Sequence, residues 1–217
     1  MPAIPVYLEI GEKRVFASAL EWPGWTRSAR DEQRALEGLA AYAPRYAAVP
    51  QAARIEFAID AKPSFKVVER VKGNATTDFG APGLPASSDT KSLTPAEAER
   101  ICALLAVSWK VFDSAVAKAP AELRKGPRGG GRDRDKIADH IIGAESAYTP
   151  KLGLKLKTPR RDDQVAVQAT RKTILAAIRA SAGAPQTGEK RWPPRYVARR
   201  MAWHLLDHAW EIEDRSA

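Results

Sequence analysis

The chain holds three histidines, and two of them stand four positions apart in Met201-Ala202-Trp203-His204-Leu205-Leu206-Asp207-His208-Ala209-Trp210-Glu211. On a helix that spacing stacks both imidazoles on one face, one turn apart. The third, His140, lies in a separate helical stretch, Asp135-Lys136-Ile137-Ala138-Asp139-His140-Ile141-Ile142-Gly143-Ala144-Glu145. Each falls on the apolar stripe of its helix rather than on the polar side. Inward imidazoles from two helices can form a three-nitrogen metal site with a position left for water or substrate. Ligand type favours Zn or Ni as the divalent ion, with Mn or Fe as the alternatives. The plainer account is of separate core histidines satisfied by hydrogen bonds, or of a surface pair. That every histidine of the chain lies on an inward stripe favours the metal site.

Several neighbours bear on the chemistry. Glu211 follows His208 by three residues and shares its face. It is the candidate catalytic residue: a fourth ligand, a carboxylate behind a ligand, or a proton acceptor. A salt bridge at the helix end is the competing account. Asp207 points about 100° away from His208 and is expected to pair with an arginine on a neighbouring element. Asp139 is likewise off the histidine face. Ser108 is expected to back-bond to its own helix. Trp203 and Trp210 are expected to be packing anchors against the N-terminal half. Arg171 lies near an inward stripe and is expected to snorkel to the surface. Cys102 reads as a small buried filler.

These residues need elements to position them. Residues 92–217 read as four amphipathic helices. Thr94-Pro95-Ala96-Glu97 is a capping box with Pro at the first helical position. A glycine-rich turn, Gly126 to Gly131, precedes the second helix, which Thr149-Pro150 closes. Asp162 or Asp163 begins the third, which ends at Gly183 to Gly188. Pro193-Pro194 starts the fourth. Four such helices make a bundle. Residues 5–72 read as a small α+β module in the order β-β-α-β-β. Its expected strands are Val6–Ile10, Arg14–Leu20, 54–59 and Phe65–Val71, and Ser28 caps its helix. Residues 73–91, rich in Gly, Ala, Thr, Ser and Pro, read as a linker or long crossing loop. The fold class is therefore α+β, with a strand-rich and a helix-rich unit.

Composition narrows the function classes. The net charge is +9, and residues 92–217 hold 23 of the 35 basic side chains against 15 of the 26 acidic ones. Such a surface can hold nucleic acid or an anionic ligand. The basic clusters fall in loops and at helix ends without interleaved aromatics, so nucleic acid is the less favoured partner. No run approaches the roughly 20 apolar residues of a membrane span. The segment Met1–Val6 does not resemble a secretory signal, and one cysteine makes no internal disulfide. A cytoplasmic location is expected. The Gly126–Gly131 segment lacks a following Lys-Ser/Thr and a preceding strand, so it is not a phosphate-cradling loop. It reads as a connector, with a lid over the metal as the alternative. No G-x-S-x-G elbow is present.

The helical half resembles the DinB/YfiT-like metal-binding four-helix bundles over roughly residues 92–215. Asp139-His140-Ile141-Ile142 matches the ligand that the family carries on its second helix. Trp203-His204-Leu205-Leu206-Asp207-His208-Ala209-Trp210-Glu211 matches the H-x-x-x-H pair on its last. The resemblance implies a metal-dependent hydrolase, thiol S-transferase or isomerase acting on a small-molecule substrate, in a family that often forms homodimers. More faintly, the N-terminal half resembles the HicB-type antitoxin fold, through a hairpin followed by Phe16-Ala17-Ser18-Ala19-Leu20-Glu21-Trp22-Pro23-Gly24-Trp25 and a helix. Trp25-Thr26-Arg27 departs from that family's pattern after Pro-Gly. The alternative function is a non-catalytic regulatory or binding protein with a structural metal and a basic face for an acidic partner or nucleic acid.

Overall fold

The computed structural model describes residues 3–58, 63–126, 130–184 and 191–216. It is a mixed α+β structure. A four-stranded sheet is built from β1 (Ile4–Ile10), β2 (Val15–Ala19), β3 (Thr26–Ala29) and β4 (Phe65–Lys72), in the order β3-β2-β1-β4. Three helices lie between β3 and β4: α1 (Glu32–Ala41), α2 (Ala43–Tyr46) and α3 (Ala48–Ala52). The short α4 (Ala75–Phe79) follows β4. The long helices are α5 (Pro95–Lys118), α6 (Arg134–Tyr148), α7 (Gln164–Ala180) and α8 (Pro194–Ser216).

The N-terminal strands obey the pleat. β1 pairs antiparallel with β2 so that Val6 faces Ala19 and Leu8 faces Ala17. These residues, with Val15, join a cluster containing Trp25, Leu39 and Tyr46. The alternate residues Tyr7, Glu9 and Phe16 point to the opposite face. There the Tyr7 hydroxyl donates to the Leu84 carbonyl (3.2 Å). The buried Glu9 carboxylate accepts from the Gly83 and Leu84 amides (2.8 and 3.1 Å) and from the Thr77 hydroxyl. Both faces are thus covered, one by α1–α3 and the other by residues 73–91 with α8.

Two expectations for this half need correction. The third strand is Thr26–Ala29, ahead of the helix, so the order is β-β-β-α rather than β-β-α-β. It returns beside β2 through the turn at Trp22–Trp25, where Gly24 takes φ +94° and a Cβ would lie 2.5 Å from Leu206 Cδ1. Ser28 is therefore a strand residue, and Asp31 caps α1 by accepting from the Arg34 amide (2.8 Å). Residues 54–58 form no strand; Ile59 lies outside the described residues. Arg54 leaves α3 with φ +57°, and Ile55 and Phe57 then pack on the Trp25 and Tyr46 cluster instead of pairing. Phe57 meets Trp22 edge-on at 4.7 Å between ring centroids.

The segment read as a linker carries α4 and a 3-10 turn at Ser87–Thr90. Asn74 caps α4, and Asp89 is buried in an ion pair with Arg199 of α8 (Nη1 to Oδ2 2.8 Å).

Helices α5 and α7 begin where their caps predict. Thr94 and Glu97 form the reciprocal box at α5, and Asp163 accepts from the Ala166 amide at α7. Ile101, Leu105 and Phe112 of α5, Ile137 and Ile141 of α6, Ile174 and Ile178 of α7, and Val197, Met201 and Leu205 of α8 share one core. The other side of α8 serves the sheet, because Leu206 and Trp210 belong to the cluster around Trp25. Residues 127–129, the middle of the Gly126–Gly131 segment read as a connector or lid, and residues 185–190 lie outside the described residues.

Candidate metal centre

α6 and α8 pack together, and their facing stripes bring the histidines to one point. His140 Nε2 lies 3.1 Å from His204 Nε2, although the two residues are 64 positions apart. Ring centroids are separated by 4.9 Å for His140–His204, 5.2 Å for His140–His208 and 4.9 Å for His204–His208. One ligand nitrogen from each ring lies within 4.8 Å of the other two. A tetrahedral ion with Zn–N bonds of about 2.1 Å needs its nitrogens about 3.4 Å apart. The trio brackets that separation, so small rotations of the rings suffice.

The donors also have suitable protonation. His204 is 9% exposed, and burial, reinforced by the charges of His208, Arg200, His140 and Arg132, pushes its pKa down to about 2. Burial, followed by the His208 and Arg132 charges, lowers that of His140 as well. Neutral imidazole is the form that binds metal. His208 Nδ1 lies 2.7 Å from Glu211 Oε2, which leaves its Nε2 for an ion. Glu211 also accepts from Arg215 Nη1 (2.6 Å), and hydrogen bonding to His208 and Arg215 keeps its carboxyl below the ordinary range. Glu211 therefore sits behind His208 and orients its ring, the arrangement in which carboxylates commonly support metal-binding histidines.

The surroundings divide the remaining candidates. Trp203 lies nearly parallel to the His204 ring (5.6 Å, 10°) and meets Phe16 of β2 edge-on (5.9 Å). Trp210 packs against Tyr42. Both tryptophans anchor α8 to the N-terminal half. Asp207 pairs with Arg27 (3.1 Å), and Asp139 pairs with Arg161 (3.0 Å). Ser108 donates to the Leu104 carbonyl (2.9 Å) of its own helix. Cys102 is buried, and burial pushes its thiol up to about 11, away from reactivity. Arg171 does not snorkel: it is buried against Asp113 (2.6 and 3.0 Å) and approaches Glu145 (3.7 Å). The half-exposed Asp113 carboxylate, gripped by two prongs, holds it in place.

Sequence reasoning missed Arg200, which stands one turn before His204 on α8 beside Trp203 and Tyr148. Its spacing of four from His204 is the signal that was available. A separate cleft, lined by Pro5, Leu20, Arg100, Arg195 and Arg199, contains none of the histidines. Among the described residues no helix is long and apolar enough to cross a membrane. Compared with known proteins, the chain matches no family model, no curated protein and no solved structure.

Proposed function

We propose that this chain is a DinB-like metalloprotein in which α5–α8 form the four-helix bundle and the N-terminal half is an appended HicB-like α+β module. His140, His204 and His208 hold one divalent ion, Zn or Ni by ligand type. The observation that carries this reading is the convergence of three ring nitrogens, from two helices, within 4.8 Å. Their donor set fits an ion: two of the imidazoles are held neutral, and the third is oriented by Glu211.

His140, His204 and His208 would hold the ion, and when bound it would supply Lewis acidity toward a substrate oxygen, a thiol or a water molecule. The chain's own residues supply the rest. Glu211 fixes the His208 ring through Nδ1 and stands ready to hold its proton. Trp203 and Tyr148 wall the His204 side with apolar rings. The reaction class is hydrolysis, thiol transfer or isomerisation of a small-molecule substrate, following the resemblance of the two histidine segments to that superfamily.

The test is elemental analysis of the purified wild type beside His204→Ala, with circular dichroism to check folding. The expected result is about one divalent ion per wild-type chain and near-complete loss in the variant. Equal metal content in a folded His204→Ala variant would rule the site out.

A further inference from the structure

Arg200 is a buried charge without a counter-charge. It is 8% exposed, and its Nη1 atom is fully enclosed with no hydrogen-bond partner. Among the described residues no carboxylate pairs with it. Arg171 and Arg199, the other arginines buried to this degree, each hold a two-pronged carboxylate partner, Asp113 and Asp89. Burying a guanidinium alone is costly, so an unpaired one calls for an explanation.

Its position supplies one. Arg200 precedes His204 by one helical turn, about 6 Å along the axis. The guanidinium carbon lies 4.5 Å from the Trp203 ring centroid and 5.4 Å from that of Tyr148. Those two rings also border His204, at 5.6 and 6.3 Å. The charge of Arg200 bears on both His204 and His140, and that of the exposed Arg132 adds to it. Three imidazoles, a divalent ion and two arginines leave an excess of positive charge, which Glu211, shared with Arg215, and Asp207, shared with Arg27, oppose only in part.

We infer that Arg200 is the anion-recognition residue of this centre, receiving the carboxylate of a small substrate whose second donor atom reaches the metal. This rests on the metal reading proposed above. A planar guanidinium fork matches the two oxygens of a carboxylate. The flanking rings hold the fork's plane through cation–π contact and exclude competing water. The one-turn separation limits the substrate to a short spacer between its carboxylate and its metal-directed group.

The experiment uses the full chain loaded with Co2+ and two probe thiols of similar length, 3-mercaptopropionate and the uncharged 3-mercapto-1-propanol. Thiolate-to-cobalt charge-transfer absorption reports binding. The wild type is expected to prefer the carboxylate probe by about tenfold or more, the increment of a charge-assisted hydrogen-bond pair. Arg200→Met is expected to take up Co2+ normally and to lose the preference. If that variant does not fold, Arg200→Gln, which keeps a donor but no charge, is expected to behave alike. Equal affinity for the two thiols in cobalt-loaded wild type, or an unchanged preference in a folded uncharged variant, overturns the inference and leaves the metal centre standing. Absence of cobalt uptake by the wild type overturns the metal reading and this inference with it.

Discussion

His208 and Glu211, one turn apart on α8, are joined by a 2.7 Å contact between Nδ1 and Oε2. The contact engages Nδ1 with the carboxylate and leaves Nε2 as the nitrogen for the proposed ion. Glu211→Gln keeps the length of the side chain but not its charge, and it also loosens Arg215. Its metal affinity is expected to fall by about 10- to 100-fold, the usual effect of removing a carboxylate behind a ligating histidine. Competition with a chelator of known affinity measures it. An unchanged affinity would make Glu211 a helix-end salt bridge and nothing more.

The Arg199–Asp89 pair, with side chains 4% and 1% exposed, ties residues 73–91 to α8. Asp89→Asn leaves a buried guanidinium uncompensated. Urea denaturation is expected to show a loss of about 3–5 kcal/mol. Replacing both partners with apolar residues, as in Asp89→Ala with Arg199→Met, is expected to cost less than the single change. A single-variant loss below about 1 kcal/mol would mean that the pair is not what fastens this segment.

Glu145 makes stability depend on pH. Its carboxyl is enclosed by α5, α6 and α7, beside Trp109, Arg171 and Asp113, and burial pushes its pKa up to about 7. The folded state therefore retains a proton that the unfolded chain releases near the usual carboxylate value. Stability from this group is full at acidic pH and is lost as pH rises from about 4.5 to about 7. Glu145→Gln removes that slope. Between pH 5 and pH 8 the variant is expected to gain on the wild type by on the order of 1–3 kcal/mol in urea titrations. Parallel pH profiles for the two proteins would show that Glu145 is already ionised at acidic pH in the fold.

The helices and the histidine faces were legible because period and caps are local signals. The Thr94–Glu97 box, Asp163 and Pro194 mark starts that need no tertiary knowledge. β3 was not legible. Thr26-Arg27-Ser28-Ala29 has no apolar alternation, and it becomes a strand only by pairing with β2, where the Thr26 hydroxyl donates to Ser18 (3.0 Å) inside the fold. Residues 54–58 alternate like a strand, yet Ile55 and Phe57 spend that pattern on plugging an aromatic cluster. Arg171 and Arg200 escaped for one reason. A count of charges along a sequence treats every arginine as solvated, and only packing shows which of them are shut inside.

Trp203 has consequences for the order of assembly. It touches Phe16 of β2, far earlier in the chain, and the ring of His204 beside it on α8. Contacts so distant along the chain form late and slowly. During translation the part of the sheet face around Phe16 stays open, and prone to stray association, until α8 arrives to cover it. The three imidazoles and the hairpin behind them therefore meet only once α8 has docked.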